Sequence, residues 1–522
     1  MRVCLIATYE APDATGLRIM SALLKARGHQ VRLIFLTTRR TARAATAYPP
    51  ALVEQVLARL RDCDLIGIAL MTGCYHLARS LTDAIHGARI AAPVIWGGVH
   101  PTVAPETCID HADIVCVGEG ERPMLELVET LEGDGDYTRI PNLWIRRNGN
   151  VVRNDVGPLF EDLDALPHPD FHLEQDQYVV HNRTLVPATP ANMGHTLIRY
   201  RILTTRGCPF LCAFCCNSRW RNLYRGKGSW VRMRSIDHVI AELQTIRARF
   251  ASVVSVAIAD DTFFLRDEEQ LDTFARLYRE HIAMPFDAYA HPATLTRRKL
   301  EIVAGCGCTR VKIGVQAGSD ETNFNIFNRR IPLTRVVQAI ELLKRFPTVG
   351  KEYSYITCNP YESDEQRKQT LHFIAAHHGG RDRITVFPLA FFPGTELYQR
   401  AKADGTLKAE QDDLYQRSYT SIAKRRFDWL GYHVLLLKAV VGLRRYHVPA
   451  RATHRFIDFM LMPSVRRCLD RRPVMLAMVG IYMAGRKIRK SLLQILVRPF
   501  RRRRRPSCCQ EANDNRALPC SA

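Results

Sequence analysis

The segment Arg206–Cys215 reads RGCPFLCAFC and places Cys208, Cys212 and Cys215 in one short loop. Iron–sulfur clusters are held by cysteine thiolates and usually take four of them. A compact group of three cysteines therefore predicts a cluster with one iron left open to a ligand that the protein does not supply. A structural zinc site is the alternative, but zinc prefers four ligands and Cys216 adjoins Cys215 too tightly to complete such a site easily.

A disulfide is a weaker alternative for this loop. The 16 cysteines are scattered over 522 residues, and we expect no secretory signal at the start of the chain. Reduced thiols and a cytoplasmic location are therefore expected.

The cluster loop, with the aromatic Phe214 just before its last cysteine, resembles the motif of the radical S-adenosylmethionine (radical SAM) enzymes. The resemblance implies a 4Fe-4S cluster held by Cys208, Cys212 and Cys215, whose open iron binds S-adenosylmethionine. It also implies an external electron donor such as flavodoxin or ferredoxin.

Strand and helix patterns alternate from Ile202 to about Gly405. Six apolar strands are predicted near residues 202–205, 253–259, 286–290, 310–315, 352–357 and 384–389. Six β/α units are too few for an eight-stranded barrel. They match the partial (β/α)6 TIM barrel of the radical SAM family, in which the cluster loop follows the first strand.

Cofactor sites on parallel barrels gather at the carboxyl ends of the strands. Asp260 and Asp261 end the second predicted strand, at a position similar to the one that holds the methionine ammonium group in the family. A helix N-cap would account for at most one of the two. On the fourth strand, Gly314 and Gln316 lie where the family often reads G-x-E-S-G. Gln316 replaces the glutamate, so we expect its hydrogen bond to the ribose of S-adenosylmethionine to carry no charge.

Residues 1–133 also alternate between apolar strands and amphipathic helices, which predicts a Rossmann-like parallel sheet with helices on both faces. Ligands of such sheets bind at the carboxyl ends of the strands. The turns expected there contain Gly97, Gly98, His100, Gly118 and Glu119.

Together with Gly16, these turns resemble the cobalamin-binding domain that is often fused ahead of radical SAM domains, and the resemblance implies cobalamin as a cofactor. Asp13 stands where many such domains have a histidine that binds cobalt, so we expect no histidine ligand from the protein. A degenerate Rossmann-like fold that binds no ligand is the alternative.

We predict four regions. They are a cobalamin-binding domain at residues 1–145, a linker or cover segment at 146–195, the radical SAM domain at 196–405, and a basic α-helical region with an Arg-rich tail at 406–522. Between residues 421 and 506 there are 22 Lys and Arg against three Asp, a local net charge of +19. Apolar stretches at 434–443, 474–484 and 492–497 are too short to span a bilayer. We expect peripheral contact with an anionic membrane on its inner face; a helical cap on the barrel with a solvated tail is the alternative.

The family resemblance implies a methyltransferase that acts on an unactivated carbon of a small-molecule or lipid-like substrate through a 5'-deoxyadenosyl radical and methylcobalamin. A radical SAM oxidative cyclase or rearrangement enzyme, similar to the anaerobic Mg-protoporphyrin ester cyclases, is one alternative. A basic RNA-binding or RNA-modifying protein is another, but no RNP or KH signature supports nucleic acid as a partner. Catalytic residues other than the cofactor ligands are not assigned by the sequence.

Overall fold

A computed structural model describes residues 1–8, 14–36, 46–407 and 429–465. Residues Met1–Ile457 form one compact unit, and the chain from Asp458 onward belongs to another. Most of the predicted basic region, including its Arg-rich tail and the apolar stretch at 474–484, lies outside the described residues. Within the part of the chain that is described, no helix is both long and apolar enough to cross a membrane.

The N-terminal domain is built on a nine-stranded sheet in the order β7-β6-β5-β4-β3-β1-β2-β8-β9. Its strands are β1 (Arg2–Ala7), β2 (Gln30–Phe35), β3 (Leu65–Ala69), β4 (Val94–Gly97), β5 (Ile114–Cys116), β6 (Leu143–Arg147), β7 (Asn150–Arg153), β8 (Gln177–His181) and β9 (Thr184–Pro187). Strands β1 to β5 pair in parallel. Strands β1 and β3 are almost continuously apolar because helices cover both of their faces.

Six helices follow these strands along the chain. They are α1 (Thr15–Ala26), α2 (Pro50–Leu57), α3 (Tyr75–Gly87), α4 (Val99–Val103), α5 (Pro105–Ile109) and α6 (Glu121–Glu132). Both α4 and α6 begin directly after a glycine turn, so the Gly-rich turns predicted from the sequence lie at the carboxyl edge of the sheet.

Residues 146–195, predicted as a linker or cover, also contribute strands β7, β8 and β9 to this sheet. Buried Arg18 of α1 fixes the segment, since its guanidinium lies 4.5 Å from the ring centre of Phe35 and 4.0 Å from that of Phe171. It also donates a hydrogen bond of 2.9 Å to Gln177. Strands β8 and β9, of five and four residues with mixed polarity, are too short for periodicity to reveal.

The second domain contains a six-stranded parallel sheet in the order β10-β13-β14-β15-β16-β17 and a small β11-β12 ribbon beside the cluster loop. Its strands are β10 (Arg199–Ile202), β11 (Thr205–Arg206), β12 (Arg232–Met233), β13 (Ser255–Ile258), β14 (Phe286–Ala290), β15 (Cys308–Gln316), β16 (Gly350–Thr357) and β17 (Arg383–Pro388). All six predicted barrel strands are present and in sequence order, so the partial-barrel prediction is confirmed.

The helices of this domain are α7 (Cys216–Leu223), α8 (Ile236–Arg249), α9 (Glu268–His281), α10 (Arg297–Gly305), α11 (Leu333–Lys344), α12 (Asp364–His377) and α13 (Glu396–Ala403), followed by α14 (Trp429–Arg445) and α15 (Ala450–Met460). Capping boxes begin α9 at Asp267 and α12 at Ser363. Residues on the outward face of the sheet are buried against helices on the inner strands, for example Tyr200, Ile313 and Tyr353.

Candidate active site

A cavity of about 490 Å³ lies between the carboxyl edge of the N-terminal sheet and the cluster loop of the second domain. The N-terminal side is rich in glycine: Gly16, Gly67, Gly97, Gly98, Gly118 and Gly120. The other side includes Arg206, Gly207, Asn217, Trp220, Trp230 and Asp261. The structure thus brings the predicted glycine turns, Glu119 and Asp261 to one cavity. The other predicted residues of the second domain are not among those that line it: Cys208, Cys212, Phe214, Cys215, Asp260, Gly314 and Gln316.

The cluster loop is held in place by backbone contacts around its cysteines. Gly207 has φ +89°, and a Cβ there would lie 2.1 Å from the carbonyl oxygen of Trp230, so only glycine fits. The indole nitrogen of Trp230 donates a 2.8 Å hydrogen bond to the carbonyl of Cys208. The backbone amide of Ala213 donates to the carbonyl of Phe327 at 2.8 Å. These contacts fix the loop on both sides of Cys212.

The three predicted cluster ligands are free thiols in a protected environment. Burial raises the pKa of Cys208 to about 12 and that of Cys212 to about 11, and the neighbouring cysteines add to both effects. The pKa of Cys215 is also raised, because it hydrogen-bonds Cys216 and is buried. Thiols of this kind stay protonated until a metal displaces the proton.

This donor set fits a 4Fe-4S cluster. Among the described residues, no three His, Cys, Asp or Glu side chains converge as a site for a single metal ion. The thiolates of a 4Fe-4S cluster bind different irons, so they do not need to converge on one point. Three soft sulfur donors beside an apolar cavity are the ligands that iron–sulfur clusters take.

The two predicted aspartates have different environments. Asp260 is buried, and its carboxylate accepts hydrogen bonds from the backbone amides of Thr204 and Thr205, at 2.6 and 3.1 Å. Both of its oxygens are engaged, since the hydroxyl of Thr204 donates to the second one. Asp261 lines the cavity, where desolvation raises the pKa of its carboxyl and a hydrogen bond from Asn217 acts the other way. The structure therefore directs only Asp261 toward a ligand in the cavity.

Gln316 ends β15 with φ +72°, a backbone conformation that is uncommon for a residue other than glycine. Such strain gathers at functional sites, because surrounding structure must impose it. Gly314, two residues earlier, accepts a 2.5 Å hydrogen bond from Arg329 through its carbonyl. The guanidinium of Arg329 is buried near Cys212 and Cys208, and burial lowers its pKa.

Arg329 is a site residue that the sequence analysis did not identify. In the sequence it stands beside Arg330, and a pair of basic residues is typical of a solvated surface. Only the fold shows that one of the two is buried against the cluster loop. Phe214 packs nearby, with its ring centre 5.1 Å from that of Phe327 in an edge-on arrangement.

His100 was predicted to contact cobalamin, but its side chain does not face the cavity. Its imidazole is fully buried below the turn, with Nδ1 3.2 Å from the hydroxyl of Thr72 and Nε2 3.2 Å from that of Thr107. Burial lowers the pKa of His100 to about 4. The side chain holds the turn that carries Gly97 and Gly98 and does not line the cavity. The position of His100 next to a Gly-Gly turn does not indicate, from the sequence alone, whether its side chain points into the cavity or into the core.

Gly118 and Glu119 connect the two domains. The amide of Glu119 donates a 2.7 Å hydrogen bond to the hydroxyl of Tyr224, which follows α7. The Glu119 carboxylate accepts hydrogen bonds of 2.9 and 2.7 Å from Arg232. Burial alone would raise the pKa of Glu119, but Arg232 and Arg206 outweigh that effect and hold it below its ordinary value.

A second ion pair completes this connection. Arg206, directly before the cluster loop, lies 2.5 Å from the carboxylate of Glu121 and 3.3 Å from that of Glu119. We refer to Glu119, Glu121, Arg206 and Arg232 as the interdomain charge cluster. It joins the turn after β5 to the start of the cluster loop along one side of the cavity.

Asp13, the residue on which the predicted absence of a histidine cobalt ligand depends, lies outside the described residues. His238 lines the cavity, with Nδ1 3.1 Å from the carboxylate of Asp164, and burial lowers its pKa. The predicted absence of a histidine ligand therefore stays a prediction, and His238 is the side chain to test.

Comparisons with known proteins agree with this arrangement. The sequence profile of the Radical SAM superfamily matches residues 202–374, and that of the B12 binding domain matches residues 2–128. An uncharacterised methyltransferase of Pyrococcus horikoshii is 26% identical over 365 residues, covering 69% of this chain and 73% of that protein. Cytidylyl-2-hydroxyethylphosphonate methyltransferase of Streptomyces wedmorensis is 22% identical, covering 68% and 70%.

Anaerobic magnesium-protoporphyrin IX monomethyl ester cyclase of Cereibacter sphaeroides is 20% identical, covering 72% of this chain and 64% of that protein. The fold resembles that of the radical SAM methyltransferase TsrM of Kitasatospora setae, solved with cobalamin and a [4Fe-4S] cluster bound. The TM-score is 0.60 at 17% identity, and the match covers 77% of this chain and 78% of TsrM.

The two domain matches in tandem, together with the cavity between the domains, identify the class: the chain belongs to the radical SAM enzymes that carry an N-terminal B12-binding domain. Its cofactors are a 4Fe-4S cluster, S-adenosylmethionine and cobalamin. The fold class and cofactors predicted from the sequence are thereby confirmed.

Proposed function

We propose that this enzyme is a cobalamin-dependent radical SAM methyltransferase that acts on an unactivated carbon of a small-molecule substrate. One observation carries the proposal: the Gly-lined edge of the N-terminal sheet and the start of the cluster loop, Arg206 and Gly207, face the same cavity. Methyl transfer from cobalamin to a substrate carbon that S-adenosylmethionine activates requires that both cofactors reach one reaction space. The similarity to several methyltransferases supports this reading.

When bound, the cluster and one molecule of S-adenosylmethionine would supply a radical that removes hydrogen from carbon, and cobalamin, methylated by a second molecule of S-adenosylmethionine, would supply the methyl group. The role of the protein is to bind and orient the cofactors and the substrate. Cys208, Cys212 and Cys215 would hold the cluster, Asp261 would accept hydrogen bonds from the ammonium group of S-adenosylmethionine, and Gln316 would contact its ribose. A largely apolar cavity keeps water from a reactive carbon centre.

Anaerobic incubation of the reconstituted enzyme with methyl-labelled S-adenosylmethionine and cell extract tests this function. We expect a labelled product whose mass exceeds that of its precursor by one methyl group in place of hydrogen. A product that forms only with active enzyme but carries no label would contradict methyl transfer.

A second candidate is oxidative cyclisation, because the magnesium-protoporphyrin ester cyclase is 20% identical over 72% of this chain. Cyclisation removes hydrogen atoms and adds no carbon. The same incubation separates the two, since a cyclase product would carry no methyl label from S-adenosylmethionine.

We also propose that flavodoxin or ferredoxin reduces the cluster.

We further propose that the basic C-terminal region docks on an anionic membrane. The membrane proposal is supported by the 22 Lys and Arg against three Asp at residues 421–506. Flotation with liposomes tests it: binding should increase with anionic lipid, weaken with salt, and disappear on truncation after Ser421. Equal recovery in the soluble fraction with and without anionic lipid would remove the proposal.

A further inference from the structure

The concave face of the barrel sheet is charged, in contrast to the apolar face that packs on the helices. Residues alternate between the two faces along each strand. Those on the concave side include five cations, Arg199, Arg201, Arg310, Lys312 and Arg383, and two carboxylates, Asp287 and Glu352. We call these seven residues the inner charged face.

Contacts across the sheet show that these side chains share one face. Asp287 forms ion pairs with Arg199 and with Lys312, the latter at 2.9 Å from Nζ to the carboxylate. The carboxylate of Glu352 lies 4.0 Å from Arg310 and 3.5 Å from Arg383. Each carboxylate thus already faces two cations, so the four paired cations outnumber the two carboxylates.

One member of the inner charged face, Lys312, lies near the predicted S-adenosylmethionine site, whereas Arg199 and Arg383 begin their strands at the other end of the sheet. Lys312 and Gly314 point to the same side of β15, roughly 6.6 Å apart along the strand. The ammonium of Lys312 is buried and lies 4.7 Å from the ring centre of Tyr289, which is 41% exposed. The side chain of Arg383 is 63% exposed. Part of the face is therefore exposed to solvent.

We propose that the inner charged face binds an anionic group of the substrate, a phosphate or a carboxylate, and so positions the reacting carbon below the cofactor site. The inference rests on the proposed function and adds the substrate class to it. Guanidinium groups form paired hydrogen bonds with the oxygens of phosphates and carboxylates. A bound anion would also offset the cost of holding Lys312 away from water. The alternative is an ion-pair lattice that only stabilises the barrel.

Fractionated extract tests the substrate class. Extract separated by anion exchange into retained and unretained material is supplied to the anaerobic holoenzyme with methyl-labelled S-adenosylmethionine. We expect labelled product only from the retained fraction. Extraction of the retained fraction with organic solvent then distinguishes a phospholipid substrate, which enters the solvent, from a small anion, which stays in the water. Labelled product from unretained material would overturn the proposal while leaving methyl transfer intact.

Binding of a defined anion provides a readout that does not depend on activity. Pyrophosphate should raise the melting temperature of the wild-type holoenzyme above that in chloride of equal ionic strength. The shift should be lost in Arg310→Gln/Arg383→Gln and kept in Arg298→Gln, an exposed arginine on α10 that pairs with Asp272. An equal shift in all three proteins, or none in the wild type, would show that the charges only stabilise the barrel.

The same variants give a kinetic test once an acceptor is isolated. Loss of one charge-assisted hydrogen bond should raise KM for the acceptor by about 10-fold in Arg383→Gln. Arg298→Gln should leave KM unchanged. An unaltered KM in Arg383→Gln would contradict the proposal.

Discussion

At the scale of single residues, the cluster loop makes the sharpest prediction. Alanine at Cys208, Cys212 or Cys215 should remove iron and sulfide together, because three thiolates are the minimum that holds the cluster with one iron open. Cys216→Ala should retain the cluster, since Cys216 begins α7 and lies outside the spacing. Iron and sulfide analysis after anaerobic reconstitution measures both. Normal cluster content in Cys212→Ala would refute the ligand assignment.

Gly118 is a second residue with a measurable role. Its φ is +94°, and a Cβ would lie 2.0 Å from the hydroxyl of Tyr224. Gly118→Ala should therefore displace Tyr224, at a cost of about 1–3 kcal/mol from backbone strain alone, and weaken cobalamin retention on gel filtration. Gly149→Ala is the matched control, because Gly149 has φ +78° with no atom within 4 Å of the added Cβ. Equal cobalamin retention in both variants would contradict the role of this turn.

His100 predicts a pH dependence of stability. Its pKa is about 4 in the folded state against 6.5 ordinarily, so below about pH 6.5 the unfolded chain binds a proton that the folded chain does not. Stability should fall as the pH falls through this window. His100→Gln, which keeps hydrogen-bonding capacity without titrating, should lose less melting temperature between about pH 7.5 and about pH 5.5 than the wild type. An identical loss in both proteins would show that other groups dominate.

At the scale of elements, the interdomain charge cluster holds the turn after β5 against the start of the cluster loop. Arg206→Gln leaves the buried carboxylate of Glu121 without its partner, and breaking a buried pair in this way costs about 3 kcal/mol. We expect lower cobalamin retention and faster proteolysis between the domains. Arg225→Gln, an exposed change near α7, should behave as the wild type. Unchanged retention and proteolysis in Arg206→Gln would contradict the proposed connection.

At the scale of the whole molecule, residues of both domains line the cavity, so a cobalt ligand can come from either domain. Because Asp13 replaces the expected histidine, electron paramagnetic resonance of the Co(II) enzyme should show no nitrogen splitting from an axial base. His238→Ala should leave the spectrum unchanged. A nitrogen splitting that disappears in His238→Ala would identify that residue as the ligand and overturn the prediction.

The sequence was sufficient for features that local patterns encode. The spacing of Cys208, Cys212 and Cys215 and the alternation of apolar strands depend on residues close together in the chain, so the cluster, the fold class and the six barrel strands were predictable. The turn glycines Gly97 and Gly118 were predictable for the same reason, because they directly follow apolar strands.

Only the tertiary structure decided which way side chains point and which distant residues meet. In the folded chain the side chain of His100 points into the core, the carboxylate of Asp260 accepts a hydrogen bond from the amide of Thr204, and Arg329 lies beside the cluster loop. These outcomes depend on contacts between residues far apart in sequence, such as Arg206 with Glu121, 85 positions away. A local pattern carries no information about such contacts, because burial and pairing are properties of the packed molecule.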